Sequence, residues 1–175
     1  YDVAVLKGDG IGPEVTEATV KVLEAVQEKT DFKLNFLYGE AGYHCITEHG
    51  TNLPRQTIEL IEQTKACLKG PMTTPEEPGA PVSVAVTLRR MFNLYANVRP
   101  CKSFPSVESL KPNIDLIVVR ENTEGLYSGV EYLLAPGVGV ALRIITREAS
   151  LKIAEFAFKL AGQRRKHLTY VHKGN

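Results

Sequence analysis

Three arginines, a tyrosine and a lysine stand where a folded chain could present them to a small anion. Arg89 lies near the end of the helix-like run SVAVTLRRMFNL, Arg99 follows the short segment ANV, and Arg120 follows the apolar stretch IDLIVV. Guanidinium forks bind carboxylates through paired hydrogen bonds, so arginines at element edges suit a substrate with several carboxylates. Ser83 sits near the start of the helix-like run, where hydroxyls cap free N–H groups and anions bind. Tyr127 closes the charged row RENTEGLY at the carboxyl end of a strand, the edge at which ligands collect in open α/β sheets. A phenol there can donate a proton; a tyrosine packed at the base of a loop is the plainer alternative. Lys173, in VHKGN, also follows an apolar stretch. A lysine acts as a base or proton carrier when burial lowers its pKa, and is otherwise a surface cation.

The elements that must position these groups follow from apolar periodicity. Residues 2–6 (DVAVL) read as a short buried strand, and KGDGIGP as a tight turn after it. Pro13 suits the first turn of a helix, where its missing N–H costs nothing. Val15, Ala18, Val22 and Val26 then recur at helical spacing. Strands are expected at 33–38 and 66–69, with a helix at 54–64 between them. GPMTTPEEPGAP is a long Pro/Gly/Thr loop, and a helix runs from about Ser83 to Leu94. Residues 101–113 are polar, with Pro105 and Pro112, and read as a crossing between domains. Strands at 114–119, 138–146 and 167–172 and a helix at 147–162 complete the chain. Strands alternating with helices indicate an α/β fold with parallel pairing.

The glycine-rich turn is not a dinucleotide fingerprint. Gly8, Gly10 and Gly12 follow a strand and open a helix, but their spacing is G-x-G-x-G, and Asp9 puts a negative charge where a phosphate would sit. A turn that needs positive φ is the simpler reading. The chain is 43% hydrophobic and 23% charged with a formal charge of +1, so no global field points to nucleic acid or to an acidic membrane. The basic run Arg164–His167 complements a helix C-terminus. No apolar run approaches the roughly 20 residues that span a bilayer. Cys45, Cys67 and Cys101 match no zinc or redox spacing and read as reduced thiols. HLTYVHKGN runs from a strand straight into turn residues, so the sequence is expected to be part of a longer protein.

Taken together, VAVLKGDGIGPEV, LKGPMTTP, LRRMFNLYANVRP, RENTEGLYSGVEY and VHKGN resemble the β-decarboxylating dehydrogenases, the isocitrate, homoisocitrate and 3-isopropylmalate dehydrogenase family. The resemblance covers nearly the whole chain, which corresponds to the N-terminal half of a family member. It implies an isocitrate/isopropylmalate dehydrogenase-like fold, with a large α/β domain and a smaller inserted α/β domain. Residues 1–99 would be the first part of the large domain and 100–175 the first part of the small, dimer-forming one. By the same resemblance Arg89, Arg99 and Arg120 grip substrate carboxylates and Ser83 contacts isocitrate. Tyr127 protonates the carbon left after CO₂ departs. Lys173 stands near the reacting hydroxyl, reached across a homodimer interface, and Thr74 and Asn175 lie near the nicotinamide.

The implied cofactors are NAD or NADP and Mg²⁺ or Mn²⁺, with no metal ligand in this stretch because the expected aspartates belong to the other half. The implied substrate is a 2-hydroxy tricarboxylic acid, with no nucleic-acid or membrane partner. The implied location is the cytoplasm, or the mitochondrial matrix in a eukaryote. Ser83 and VHKGN favour isocitrate over 3-isopropylmalate. Ala85 stands where bacterial isocitrate enzymes carry Asn, and LYANVRP is shared with homoisocitrate enzymes. A regulatory subunit that has lost catalysis is the non-enzymatic alternative, and retention of Tyr127, Lys173 and the three arginines speaks against it.

Overall fold

The computed structural model describes residues 1–64, 66–74, 77 and 80–172. The chain forms two compact units, Tyr1–Thr87 and Leu88–Asn175.

The first unit is built on a three-stranded parallel sheet in the order β2-β1-β3, where β1 is Asp2–Leu6, β2 is Asn35–Gly39 and β3 is Ala66–Lys69. Val3, Ala4, Val5 and Leu6 are all buried. Successive strand residues point to opposite faces, so four buried in a row mean that both faces of β1 are covered. That is why β1 reads as a continuous apolar run. Three helices belong to this unit: α1 (Gly12–Gln27), α2 (His44–His49) and α3 (Arg55–Gln63). Thr16 and Val20 are buried on α1, Cys45 on α2 and Thr57 on α3. A fourth helix, α4 (Val84–Met91), begins in this unit and carries the chain into the next.

The second unit holds two antiparallel pairs. β4 (Ala96–Lys102) pairs with β5 (Asp115–Glu121), and β6 (Glu131–Ala135) with β7 (Val138–Ala141). A 3₁₀ turn, η1 (Leu126–Ser128), lies between β5 and β6 in sequence, and α5 (Arg147–Gly162) packs on β5. The expected division at residues 99 and 100 falls inside β4. Among the described residues of this unit only Leu88 and Asn122 are buried.

The structure corrects several sequence expectations. Parallel pairing holds in the first unit alone. The strand expected at 138–146 stops at Ala141, because the opposing chain turns away into η1. Beyond that point the pairing is piecemeal: Leu142 N–H donates to Val130 O at 2.9 Å and Ile144 N–H to Gly125 O at 3.3 Å. Residues 167–172 are exposed and form no strand. A strand exists only where a neighbour takes its N–H and C=O groups, and no described residue does so here. The supposed crossing segment begins two residues late, since Cys101 and Lys102 still belong to β4. α2, η1 and β6 were not anticipated. The three cysteines are free, as expected.

Candidate active site

The end of α4 decides where two arginines go. Asn93 adopts a left-handed φ of 49°. Leu94 N–H donates to Arg89 O at 2.9 Å and Asn93 N–H to Arg90 O at 3.4 Å. These are the two bonds of a Schellman cap. They stop the helix short of the expected Leu94, satisfy the carbonyls of Arg89 and Arg90, and turn the chain into β4.

β4 and β5 supply the next groups. In their antiparallel register Asn97 faces Arg120 and Arg99 faces Val118. Directly opposed residues project from one face, as do residues two apart on one strand. Asn97, Arg99 and Arg120 therefore share a face, and Arg99 Nε donates to Asn97 Oδ1 at 3.2 Å.

Tyr127 joins this group from η1. Arg120 Nη2 donates to the phenol oxygen of Tyr127. The Arg120 guanidinium carbon lies 4.9 Å from the Tyr127 ring centroid and that of Arg89 lies 5.9 Å from it. Both are within cation–π range. Arg90 Nη2 donates to the main-chain carbonyl of Tyr127 at 2.6 Å. A phenol oxygen that accepts from arginine keeps its own proton available for another partner. Tyr127 is 37% exposed as a residue, so the site is open to a ligand. Among the described residues, none of Arg89, Arg90, Arg99 and Arg120 is paired with a carboxylate, whereas Arg55, Arg164 and Arg165 each are. Their charge is free to meet an anion.

The rest of the charged row RENTEG is structural. The Glu121 carboxylate accepts from Thr123 N–H at 2.8 Å, Thr123 Oγ1 at 2.5 Å and Glu124 N–H at 3.0 Å. Burial works against its charge, but these bonds and one from Asn122 N–H hold the carboxyl below the usual range. Glu124 accepts from Thr146 N–H at 2.7 Å and Thr146 Oγ1 at 2.6 Å. Thr146 Oγ1 in turn accepts from Ala149 N–H at 3.2 Å, capping α5. Asn122 is buried, its Nδ2 reaches Leu94 O at 3.5 Å, and its Oδ1 has no partner among the described residues.

The other expected site residues lie in the first unit or outside the described residues. Thr74 and Ser83 belong to the first unit. Thr74 is exposed on the loop after β3. The Ser83 carbonyl accepts from Thr87 N–H at 3.0 Å, and its hydroxyl has no partner among the described residues. Lys173 and Asn175 lie outside the described residues. Two members of the cluster were missed. Arg90, beside Arg89, was not singled out, and Asn97 could be found only from its place two residues before Arg99.

Asp9 explains the failed fingerprint. Its carboxylate accepts from Tyr43 N–H at 2.8 Å, Thr73 N–H at 3.0 Å and His44 N–H at 3.4 Å, and meets His44 Nδ1 at 3.0 Å. The carboxylate ties the turn to the start of α2 and to the loop after β3, which gives Asp9 a structural role. Burial opposes the charge, but the bonds from His44, Tyr43 and Thr73 outweigh it and hold the carboxyl below its ordinary range. Gly8 has φ of 77°, and a Cβ there would lie 1.9 Å from Pro71 O. Glycine is what lets the two loops touch.

Neither of two other features competes with the arginine cluster. An open hollow of about 250 Å³ in the second unit is lined by Asn93, Tyr95, Glu124, Thr146, Glu148 and Lys152, among others. Its two carboxylates give it the wrong charge for a polyanion. Among the described residues, one group of three potential metal ligands lies within mutual reach: Glu40, Glu48 and His49, all exposed, in the first unit.

Comparison with known proteins bears on what this arrangement is. A family model described as Isocitrate/isopropylmalate dehydrogenase matches residues 2–175. The chain belongs to the isocitrate/isopropylmalate dehydrogenase family. It is 41% identical to the 3-isopropylmalate dehydrogenase of Saccharolobus solfataricus, over 100% of this chain and 51% of that protein. It is 40% identical to a mitochondrial regulatory subunit of the NAD isocitrate dehydrogenase of Dictyostelium discoideum, over 99% of this chain and 46% of that one. The crystal structure of isocitrate dehydrogenase from Methylococcus capsulatus matches with a TM-score of 0.85 at 38% identity, covering 94% of this chain and 48% of that one. The chain thus spans about half the length of these family members. Their names divide between two substrates. No helix among the described residues is long and apolar enough to cross a membrane.

Proposed function

We propose that the protein containing this chain oxidatively decarboxylates isocitrate to 2-oxoglutarate and CO₂, using NAD⁺ or NADP⁺ and a divalent cation, Mg²⁺ or Mn²⁺. The observation that carries the reading is Arg120 donating to the Tyr127 phenol while Arg89 lies over the same ring. Uncompensated guanidinium forks bind carboxylates, and a phenol held among them delivers a proton to a carbon that has just lost its carboxylate. In this reading Arg89, Arg99 and Arg120 hold the substrate carboxylates. Ser83 offers its hydroxyl to a third polar group, which favours a tricarboxylate over an isopropyl side chain. Thr74 and Asn175 serve the nicotinamide end of the cofactor. Lys173 handles the proton of the reacting hydroxyl, in a homodimer that lends it across the interface.

Among the described residues the cluster around Tyr127 contains no carboxylate, and the Glu40, Glu48, His49 group belongs to the first unit. The cation's ligands are therefore assigned to aspartates elsewhere in the protein. The nicotinamide supplies the hydride acceptor. Loss of the C2 hydride and of the hydroxyl proton turns the 2-hydroxy acid into a 2-oxo acid. The bond from C3 to its carboxylate then breaks, and its electron pair moves into the C2 carbonyl as CO₂ leaves. Arg89, Arg99 and Arg120 keep the remaining carboxylates fixed while the enolate exists. The Tyr127 O–H proton passes to C3 and completes 2-oxoglutarate.

Initial rates of the full-length protein with isocitrate, homoisocitrate and 3-isopropylmalate, each with NAD⁺ and NADP⁺ and Mg²⁺, test the proposal. The highest kcat/KM is expected with isocitrate. A higher value with 3-isopropylmalate, the substrate in the name of one relative, would reassign the substrate. No turnover of any of the three would favour a regulatory role.

A further inference from the structure

We propose that Arg90 is a positioning residue for Tyr127, tethering the turn that carries the phenol to the end of α4. The inference rests on the reading of Tyr127 as the proton donor.

η1 is a weak platform for a group that must aim a proton. It is three residues long, entered through Gly125 at φ 71° and left through Gly129 at φ 66°. Within it the closing bond, Gly129 N–H to Leu126 O, is 3.3 Å long. Short 3₁₀ turns have poor hydrogen-bond geometry, and glycines on both sides add backbone freedom. The carbonyl of Tyr127 has one partner among the described residues, Arg90 Nη2 at 2.6 Å. That bond is charge-assisted and comes from the last turn of α4, which the Schellman cap holds in place. Arg89 reaches the ring of Tyr127 and its neighbour Arg90 reaches the backbone beneath it. One helical turn thus fixes the tyrosine at two levels.

Gly129 fits the same contact. A Cβ built there would lie 2.7 Å from Arg90 Nη2, closer than real contacts allow. The glycine clears the space the guanidinium occupies. Arg90 also differs in kind from its neighbours on the site. Its Nη2 holds a main-chain oxygen, whereas Arg89, Arg99 and Arg120 are assigned to substrate.

The test isolates proton transfer at carbon from hydride transfer. Full-length wild type and the variants Tyr127→Phe, Arg90→Met and Arg90→Lys are given 2-oxoglutarate and Mg²⁺ in D₂O. Exchange of the C3 protons is followed by NMR, and kcat and KM are measured for isocitrate in parallel. Tyr127→Phe abolishes exchange if the phenol is the donor. Arg90→Met is expected to slow exchange and kcat about 10- to 100-fold, because misplacing a reacting group by an ångström costs about that much. KM should stay within about threefold, since binding contacts are untouched. Arg90→Lys keeps charge and length but not the fork, and should recover part of the loss. Wild-type exchange in Arg90→Met, with Tyr127→Phe silent, overturns the tether and leaves the proton-donor reading standing. Wild-type exchange in Tyr127→Phe, or none in the wild type, overturns both. If Arg90→Met does not fold, Arg90→Lys decides: slowed exchange at unchanged KM supports the tether, and wild-type exchange refutes it.

Discussion

Asp9 offers the sharpest test of how the first unit is held together. Its carboxylate accepts two good backbone hydrogen bonds, from Tyr43 at 2.8 Å and Thr73 at 3.0 Å, and a longer one from His44 at 3.4 Å. The side chain is 10% exposed, so water replaces it poorly. Hydrogen bonds to charged groups contribute about 1.5–3 kcal/mol each. The two good bonds would give about 3–6 kcal/mol if additive, and relaxation of surface loops brings the expectation for Asp9→Ala to about 2–4 kcal/mol. Asp9→Asn keeps one acceptor oxygen and loses the charge, and should cost about half as much. The sign of the pH dependence follows from the folded-state pKa, which lies below the unfolded value of about 3.9. The stabilisation is fully present above the unfolded pKa and is lost as pH falls through the folded one. Urea unfolding of the full-length protein at neutral pH and in steps down to acid measures both effects. Asp9→Ala within about 0.5 kcal/mol of wild type, or a gap to Asp9→Asn that widens in acid, would refute the account.

Three further outcomes are expected at the site. Tyr127→Phe should lower kcat of the full-length protein about 10²- to 10⁴-fold and leave KM nearly unchanged, as removal of a general acid does; an unaltered kcat contradicts the assignment. Arg120→Lys loses both the fork and the bond to the phenol oxygen, so kcat/KM for isocitrate should fall about 100-fold or more, through KM as well as kcat. The 175-residue chain by itself, assayed with isocitrate, Mg²⁺ and either coenzyme, should show no turnover, because the proposed cation ligands are assigned elsewhere in the protein; metal-dependent coenzyme reduction would overturn that.

Legibility in the sequence followed the range of the interaction. β1 was readable because a strand buried on both faces must be apolar at every position. α1 and α5 were readable from helical periodicity, and α5 was placed at its observed bounds. Arg120 and Tyr127 were singled out because a charged row is not what a plain connecting loop after an apolar stretch needs, although β5 has no buried residue. What stayed hidden depended on partners distant in sequence. Asp9 looked like an obstacle to phosphate binding, and only the fold reveals that Tyr43, His44 and Thr73 converge on it. β4 was partly mistaken for a linker, since proline and polar residues are tolerated on a strand in a two-stranded pair. Residues 167–172 show the converse: strand-like composition does not make a strand without a neighbour. Arg90 escaped notice because a side chain that grips a backbone carbonyl leaves no pattern in sequence.

The site also shows how a nearly neutral chain presents a strongly positive surface. The stretch from Arg120 to Tyr127 contributes one arginine and two glutamates, so by composition it should be acidic. Both glutamates are consumed internally. Glu121 is turned onto the N–H groups of Thr123 and Glu124, and Glu124 onto Thr146 at the head of α5. Each carboxylate meets backbone donors that would otherwise be unpaired, which contributes to stability and removes a competitor for arginine. Arg120 is then left with a phenol oxygen, and Arg89 with the face of an aromatic ring, as nearest partners. Neither neutralises a guanidinium. A polyanion entering this face meets cations already oriented and not yet paired, which is the electrostatic preorganisation that charge-developing chemistry requires. In the proposed reading the glutamates of the row matter to catalysis through where they do not point. Freeing Glu121 from Thr123 would cost substrate affinity by giving the arginines a carboxylate of the protein's own.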